Sequence, residues 1–499
     1  MKAWFSGDAT AMAQAIVRGE FSAAVALQRT VQGLREQGAD LNAVALWCSE
    51  LGFEQARQLD AELSACTDDV ARHALQQRRP FFGVPLLLKD VGPASAHPGI
   101  ASRMGSRLFG ERGRRWSQMG TLTQRYQGAG FVPFGRSTSP EMGISPSTEA
   151  LAYGGPTRNP WSLAHSAGGS SGGAAAVTAA GLVSIAHAND GAGSIRIPAS
   201  CCGLIGLKPS RGLMPMGPLA GEAWGGLATD HVLTRSVRDC ALALDVSAGA
   251  DPGAPYAAPP RSASFVDALN APLRPLRIAL CASFFEGDAV HADVAARVRA
   301  FGVLLQQLGH HVEEARPALA TLDIVRPLMQ LVASGTAMTL EGIASARGRA
   351  ITQDEVEPVT FGALKVGQGI SGAQLLGAVH ALHMLGRRMA VFHQQYDILL
   401  TPVLAEPPPL LGRWAMHNPD FTDYRLGPTG LWRYSPFAPL ANATGAPSIS
   451  LPAGLSSDGL PIGAMLSAAF GEDALLLQLA AQWESAHPHA QPVAAGWAA

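Results

Sequence analysis

Apolar and polar positions recur along this chain with two different periods, and the changes of period mark its elements. Thr10 to Arg18 has helical spacing and stops at Gly19, and Ser22 then caps a second helix through Ala26, Leu27, Val31 and Leu34. Leu41 to Trp47 reads as a strand, Phe53 to Ala65 as a helix, and Pro80 to Lys89 as a buried strand that ends on a lysine. Met119 to Gly128 predicts a helix leading into a short strand, Phe131 to Gly135. Ala174 to Leu182 has the composition of a closely packed helix, Gly203 to Leu207 that of a strand, and Ser236 caps a helix through Val246. Leu276 to Cys281, Asp293 to Leu308 and His311 to Glu314 spell one β-α-β unit, and residues 324–395 are mainly helical in period. Asp397 to Pro402, Ser448 to Leu451 and Leu460 to Leu466 are late strands, followed by a helix from Asp473 to Ser485. Strands alternating with helices predict an α/β protein with a large mixed, mostly parallel twisted sheet and helices on both faces.

Composition narrows the function. The chain has 499 residues, 47% of them apolar, which suffices for one large unit or for two or three domains. Its 37 basic and 39 acidic side chains nearly balance, with no basic run, so neither nucleic acid nor an anionic membrane surface is an expected partner. A small, uncharged molecule is. The N-terminus lacks the pattern of a secretion signal and no apolar run approaches the ~18 residues of a membrane span, so a cytoplasmic location is expected. Six cysteines without C-x-x-C spacing read as reduced thiols packed in the core, and no metal or cofactor is implied.

Candidate chemistry concentrates between Ser166 and Arg211. Gly168-Gly169-Ser170-Ser171-Gly172-Gly173 predicts a tight loop with exposed amides. A second loop, Asn189-Asp190-Gly191-Ala192-Gly193-Ser194, places a serine directly after unobstructed N–H groups, which is what a nucleophile beside an oxyanion site requires. Ser194 is therefore the candidate nucleophile, with the amides of Gly191, Ala192 and Gly193 as oxyanion donors. A serine needs a base, and a lysine at the end of an apolar strand can lose its charge through burial, which makes Lys89 a candidate. Taken alone, Lys89 also reads as an ordinary strand-end lysine. Gly168-Gly169-Ser170-Ser171-Gly172 fits G-x-S-x-G as well, the elbow of an α/β-hydrolase esterase with Ser170 as nucleophile, but a turn sequence rather than a buried strand precedes it. His187, between two alanines, reads as a hydrogen-bonded core residue; Asp90 and Asp190 read as groups that orient backbone and Arg196.

The motifs G-V-P-x-x-x-K-D, G-G-S-S-G-G, D-x-x-G-S-I-R-I-P-A-S and G-L-K-P together resemble the amidase signature family of serine hydrolases. Further matches at Thr157 to Trp161, at Pro140 to Met142 and around Pro447 and Pro461 extend the resemblance over nearly the whole chain. It implies a Ser-Ser-Lys triad, with Ser194 as nucleophile, Ser170, preceded by a cis peptide bond, as bridge and neutral Lys89 as base. It also implies one amidase signature domain over residues 1–499, with its core at about 75–250 and 396–485, while 324–395 matches least and is the place to look for a substrate-shaping cap. Ala192, where the family has glycine, and the Asn189-Asp190 pair resemble the branch containing 6-aminohexanoate cyclic dimer hydrolases. The implied function is hydrolysis of small uncharged linear or cyclic amides through an acyl-enzyme, with ester and carbamate side activities, by a monomer or homodimer. An amidotransferase-type subunit of the same family is the alternative, although nothing in the sequence demands a partner protein. Trp224, Met214, Met216 and Leu219 are the candidates for an apolar pocket, or else plain core.

Overall fold

The computed structural model describes residues 4–260, 263–487, 494 and 497. Its strands, in chain order, are β1 (Val44–Trp47), β2 (Pro85–Lys89), β3 (Val132–Ser137), β4 (Arg158–Asn159), β5 (Ser162–Ser166), β6 (Ile185–Asp190), β7 (Ile205–Lys208), β8 (Thr229–Thr234), β9 (Arg277–Leu280), β10 (His311–Glu314), β11 (Ile398–Pro402), β12 (Ser448–Leu455) and β13 (Pro461–Ala468). Eight of them form one sheet in the order β10-β9-β11-β13-β12-β7-β8-β6, and a smaller sheet runs β1-β3-β2. This is the expected mixed α/β sheet with helices around it.

Its strand directions differ from the expectation of a mostly parallel sheet. Only β10 with β9 and β9 with β11 pair parallel, and every other neighbouring pair in the eight-stranded sheet is antiparallel. Two features of the chain cause this. The β12 and β13 strands form a hairpin, and β8 inserts between β6 and β7, antiparallel to both. Thr229-Asp230-His231-Val232-Leu233-Thr234 carries no strand signal by hydropathy, because its Thr, Asp and His are polar, yet all six residues are buried.

Boundaries also move. The helix expected at 174–182 spans Gly172–Ala179 and is buried throughout, small side chains letting neighbouring backbone approach on every side. Asn189 and Asp190, expected in a loop, are the last two residues of β6, and the irregular segment begins at Gly191. Ile195 to Pro198 leads into a buried helix, Arg196–Cys202. Residues 324–395 fall within or between three helices, Thr321–Arg347, Pro358–Gly369 and Gly372–Gln395; the first packs on the other two, and the first and third pack on the helix Ala438–Thr444. All six cysteines are free, with Cys201, Cys202, Cys240 and Cys281 buried. Among the described residues no helix is long and apolar enough to cross a membrane.

One contact positions the site. The smaller sheet meets the larger where β2 runs alongside β6, and a side chain joins them there: the Lys89 N–H donates to His187 Nδ1 at 3.0 Å. Lys89 ends one of these strands, and the segment carrying Ser194 follows the other.

Candidate active site

The strand Pro85-Leu86-Leu87-Leu88-Lys89 is buried at every position, so the lysine at its end is carried into the interior with the leucines before it. Lys89 Nζ donates to Asn189 Oδ1 at 2.6 Å and to Ser170 Oγ at 2.7 Å. Burial pulls the amine down to about 7, against the Asp230 and Asp190 carboxylates, which favour its charged form. A backbone N–H can only donate, so His187 Nδ1 is the acceptor for Lys89 and its Nε2–H donates to Asp230 Oδ1 at 3.0 Å. Burial also lowers the His187 pKa, which keeps the ring neutral in this bridging position. The sequence predicts His187 as a hydrogen-bonded core residue, and its partners are the strand that carries Lys89 and a carboxylate. Asn189 went unnoticed as a partner of the lysine. Period-two alternation was the available signal: 187 and 189 share one face of β6 while 188 and 190 face the other way.

Ser170 sits in the loop between β5 and the Gly172–Ala179 helix, after a cis Gly169–Ser170 peptide bond, and is 2% exposed. Thr148 holds this loop at both ends, its Oγ1 donating to the Gly168 carbonyl at 3.0 Å and accepting from the Gly172 N–H at 3.1 Å. The preceding strand β5 pairs with the two-residue β4 and bridges Leu410, lies outside the large sheet and is half exposed, unlike the buried strand that an α/β-hydrolase elbow requires. Ser194 lies one residue before Ile195, on the other side of the same cleft as Gly169, and is 9% exposed. Lys89 and Ser170 are thus brought together, and Ser194 shares a cleft with the residue before Ser170. Lys89 and Ser170 are in direct contact, and Ser194 opens on the space that a substrate would enter.

The segment joining β6 to the Arg196–Cys202 helix is shaped by Asp190. Its Oδ1 accepts from the Gly193 N–H at 2.6 Å and its Oδ2 from the Ile195 N–H at 3.1 Å, while Arg196 closes a two-pronged ion pair on it at 2.9 and 3.0 Å. Burial alone would raise the Asp190 pKa, but the Arg196 charge and its hydrogen bonds outweigh that and hold the carboxyl well below the usual range. Asp190 and Arg196 therefore pair as the sequence suggested. Asp90 does not reach Arg196: it accepts from Ser102 Oγ, the Arg103 N–H and Tyr153 OH, with Arg136 3.9 Å away.

The same geometry changes the set of candidate oxyanion donors. Because the Gly193 N–H is spent on Asp190, it does not face the cleft as expected. The amides of Gly191, Ala192 and Ser194 have no protein acceptor among the described residues. Gly193 remains obligatory for another reason, since its φ of +117° favours glycine and an added Cβ would come within 2.8 Å of Ala438 Cβ. Asn442, from the helix Ala438–Thr444, completes the loop's support. Its Nδ2 donates to Asp190 O, Asp190 Oδ1 and Leu227 O at 2.9 to 3.0 Å, and its Oδ1 accepts from Arg196 Nη2 at 2.7 Å. No local motif marks Asn442, which lies some 250 residues from its partners.

Gly143, Ile144, Pro146, Ile197, Trp224 and Leu431 give the cleft beside Ser194 mostly apolar walls, and as formed it has room for little more than a water, about 20 Å³. Of the residues expected there, only Trp224 lines it. Met214 and Met216 line a separate depression with Arg211 and Tyr256, and Leu219 lines neither. The 324–395 helices contribute no described lining residue; they reach the cleft by backing Trp224, whose ring leaves no space for a Cβ at Gly335. Among the described residues no group of three His, Cys, Asp or Glu side chains converges as a metal site would.

A hydroxyl bonded to a lysine balanced between its charge states, with a second hydroxyl on the adjoining cleft and unbonded backbone amides next to it, is equipped for acyl transfer. Comparison with known proteins points the same way. The family model for Amidase matches residues 27–477. The 6-aminohexanoate-cyclic-dimer hydrolase of Pseudomonas sp. (strain NK87) is 35% identical over 488 residues, 96% of this chain and 95% of that protein. A solved 6-aminohexanoate cyclic dimer hydrolase structure superposes with a TM-score of 0.86 at 32% identity, covering 97% of each chain. A bacterial aryl acylamidase of the amidase signature family superposes with a TM-score of 0.87 at 25% identity, covering 98% of each.

Proposed function

This chain belongs to the amidase family and is a hydrolase of amide C–N bonds, and on that premise we propose that it works through an acyl-enzyme on Ser194, with Ser170 as proton relay and Lys89 as base. In this reading Ser194 Oγ attacks the amide carbonyl and forms a C–O bond. Its proton passes to Ser170 Oγ as the Ser170 proton passes to the neutral Lys89 amine. The Gly191, Ala192 and Ser194 amides stabilise the developing oxyanion. Collapse breaks the C–N bond, and the proton held by Lys89 returns through Ser170 to the departing nitrogen. Water then repeats the sequence on the ester and frees Ser194.

The observation that carries the proposal is the 2.7 Å bond between Ser170 and a fully buried Lys89 whose pKa burial brings to about 7, close to ideal for a base at neutral pH. The substrates we infer are small uncharged linear or cyclic amides, as the apolar walls and the named relatives suggest. Aryl amides, esters and carbamates are expected side activities, because the relay and the donors act on any acyl carbonyl. A cytoplasmic setting fits the six free thiols.

A fluorophosphonate probe tests the assignment. Wild type should label, and Ser194→Ala should neither label nor retain hydrolysis, with kcat down by at least about 10⁴-fold. Labelling that survives Ser194→Ala and disappears in Ser170→Ala would transfer the nucleophile to Ser170.

A further inference from the structure

Among the described residues lining the cleft, Arg425 alone carries a charge. It belongs to the short helix Phe421–Leu426 and is 7% exposed. Its Nη2 donates to the Ile144 carbonyl at 2.6 Å, its guanidinium lies 5.2 Å from the centre of the Phe421 ring, and its Nε is buried without a hydrogen-bond acceptor. No carboxylate among the described residues lies within ion-pair distance. Glu149 and Glu357, the carboxylates whose fields reach neighbouring Tyr424, are bonded elsewhere, Glu149 to Ser147 and Gly412 and Glu357 to Leu151. Burial lowers the Arg425 pKa to about 10, which leaves it a cation at neutral pH.

A desolvated cation of this kind is costly unless something compensates it. The aromatic face of Phe421 and one carbonyl compensate part of the charge. The remaining donors belong to a planar fork whose best complement is a carboxylate, bound through parallel N–H···O bonds. Since Arg425 borders the same cleft as Ser194, that complement can arrive with the substrate.

We propose that Arg425 anchors a carboxylate carried by the amide substrate apart from the scissile bond, so that acid-terminated amides are the preferred class. The inference rests on the acyl-enzyme reading above and departs from its uncharged substrates at one place, the end distant from the scissile bond. The groups flanking the scissile bond meet apolar walls and stay uncharged, while the distal end carries the negative charge.

Matched pairs of substrates test this. In one series a p-nitroanilide has a four- to six-carbon acyl chain ending in a carboxylate or in the isosteric, neutral methyl ketone. In the other the charge sits on the amine half, as N-acetyl-4-aminobenzoate against N-acetyl-4-aminoacetophenone. Wild type should favour the carboxylate in at least one series by about ten-fold or more in kcat/KM, mostly through KM, the size expected of one charge-assisted pair. In Arg425→Gln that ratio should fall to about one, and in Arg425→Lys it should be kept in part. A wild-type ratio at or below one in both series overturns the inference without any variant, as does a ratio unchanged in Arg425→Gln. Turnover that depends on Ser194 but ignores the carboxylate defeats the anchor alone, whereas absence of turnover for every member of both series defeats the acyl-enzyme reading itself.

Discussion

Lys89 is where burial and electrostatics oppose each other most directly. An ordinary lysine titrates near 10.4, and burial brings this one to about 7. The charged and titratable groups that face it are Asp190 and His187 from β6, Asp230 from β8, Arg136 from β3 and its own neighbour Asp90. The amine is a base only when neutral, so kcat/KM should rise with pH through about 7 and level off above. Asp230 favours the ammonium form, and Asp230→Asn should therefore move that rise to lower pH, by up to about one unit, while the amide oxygen still accepts from His187. A pH profile of Asp230→Asn that overlays wild type would remove Asp230 from the account. The three proposed catalytic residues were legible because each sits in a local motif. Asp230, Asn442 and Arg425 were not, because their meaning comes from partners far away in the chain.

At the scale of elements, the segment after β6 depends on a helix from the far end of the chain. Asn442 uses both donors and its acceptor on Asp190, Leu227 and Arg196, all of them buried. Asn442→Ala strips these partners and should cost about 2–4 kcal/mol of stability, read as a lowered denaturant midpoint. Among molecules still folded, kcat should fall on the order of 10- to 100-fold as the proposed oxyanion donors shift, with KM changed much less. Equal losses in kcat and KM would mean that Asn442 serves only to hold the fold. Elements became readable in sequence in proportion to how apolar their buried faces are. The β2 leucines announce a strand, and the β9–helix–β10 unit spells its own topology. The Asp69–Arg78 helix went unseen because Leu75 is its only buried residue, and β8 because its buried residues are largely polar. Missing β8 hid the antiparallel order, since its insertion reverses the neighbours of β6 and β7.

Across the whole molecule, strands from the two ends of the chain interleave. In the large sheet β7 lies between β8, from the same half, and β12, which begins at Ser448. The proposed machinery, Lys89, Ser170 and Ser194, is complete in sequence by residue 194, yet its loop is fastened by Asn442 and its sheet continued by β12 and β13. A ribosome that has released the first 437 residues has thus delivered every proposed catalytic group, together with a sheet still lacking two interior strands. Synthesis and activity should be separated in time: a chain ending at residue 437 should not react with a fluorophosphonate, and stalled nascent chains should acquire labelling only after the 438–468 segment has emerged. Early labelling would show that the first part of the chain shapes the site by itself. If labelling waits, the enzyme has a built-in proofreading step, because a chain truncated by a premature stop is delivered with its nucleophile present and unable to act.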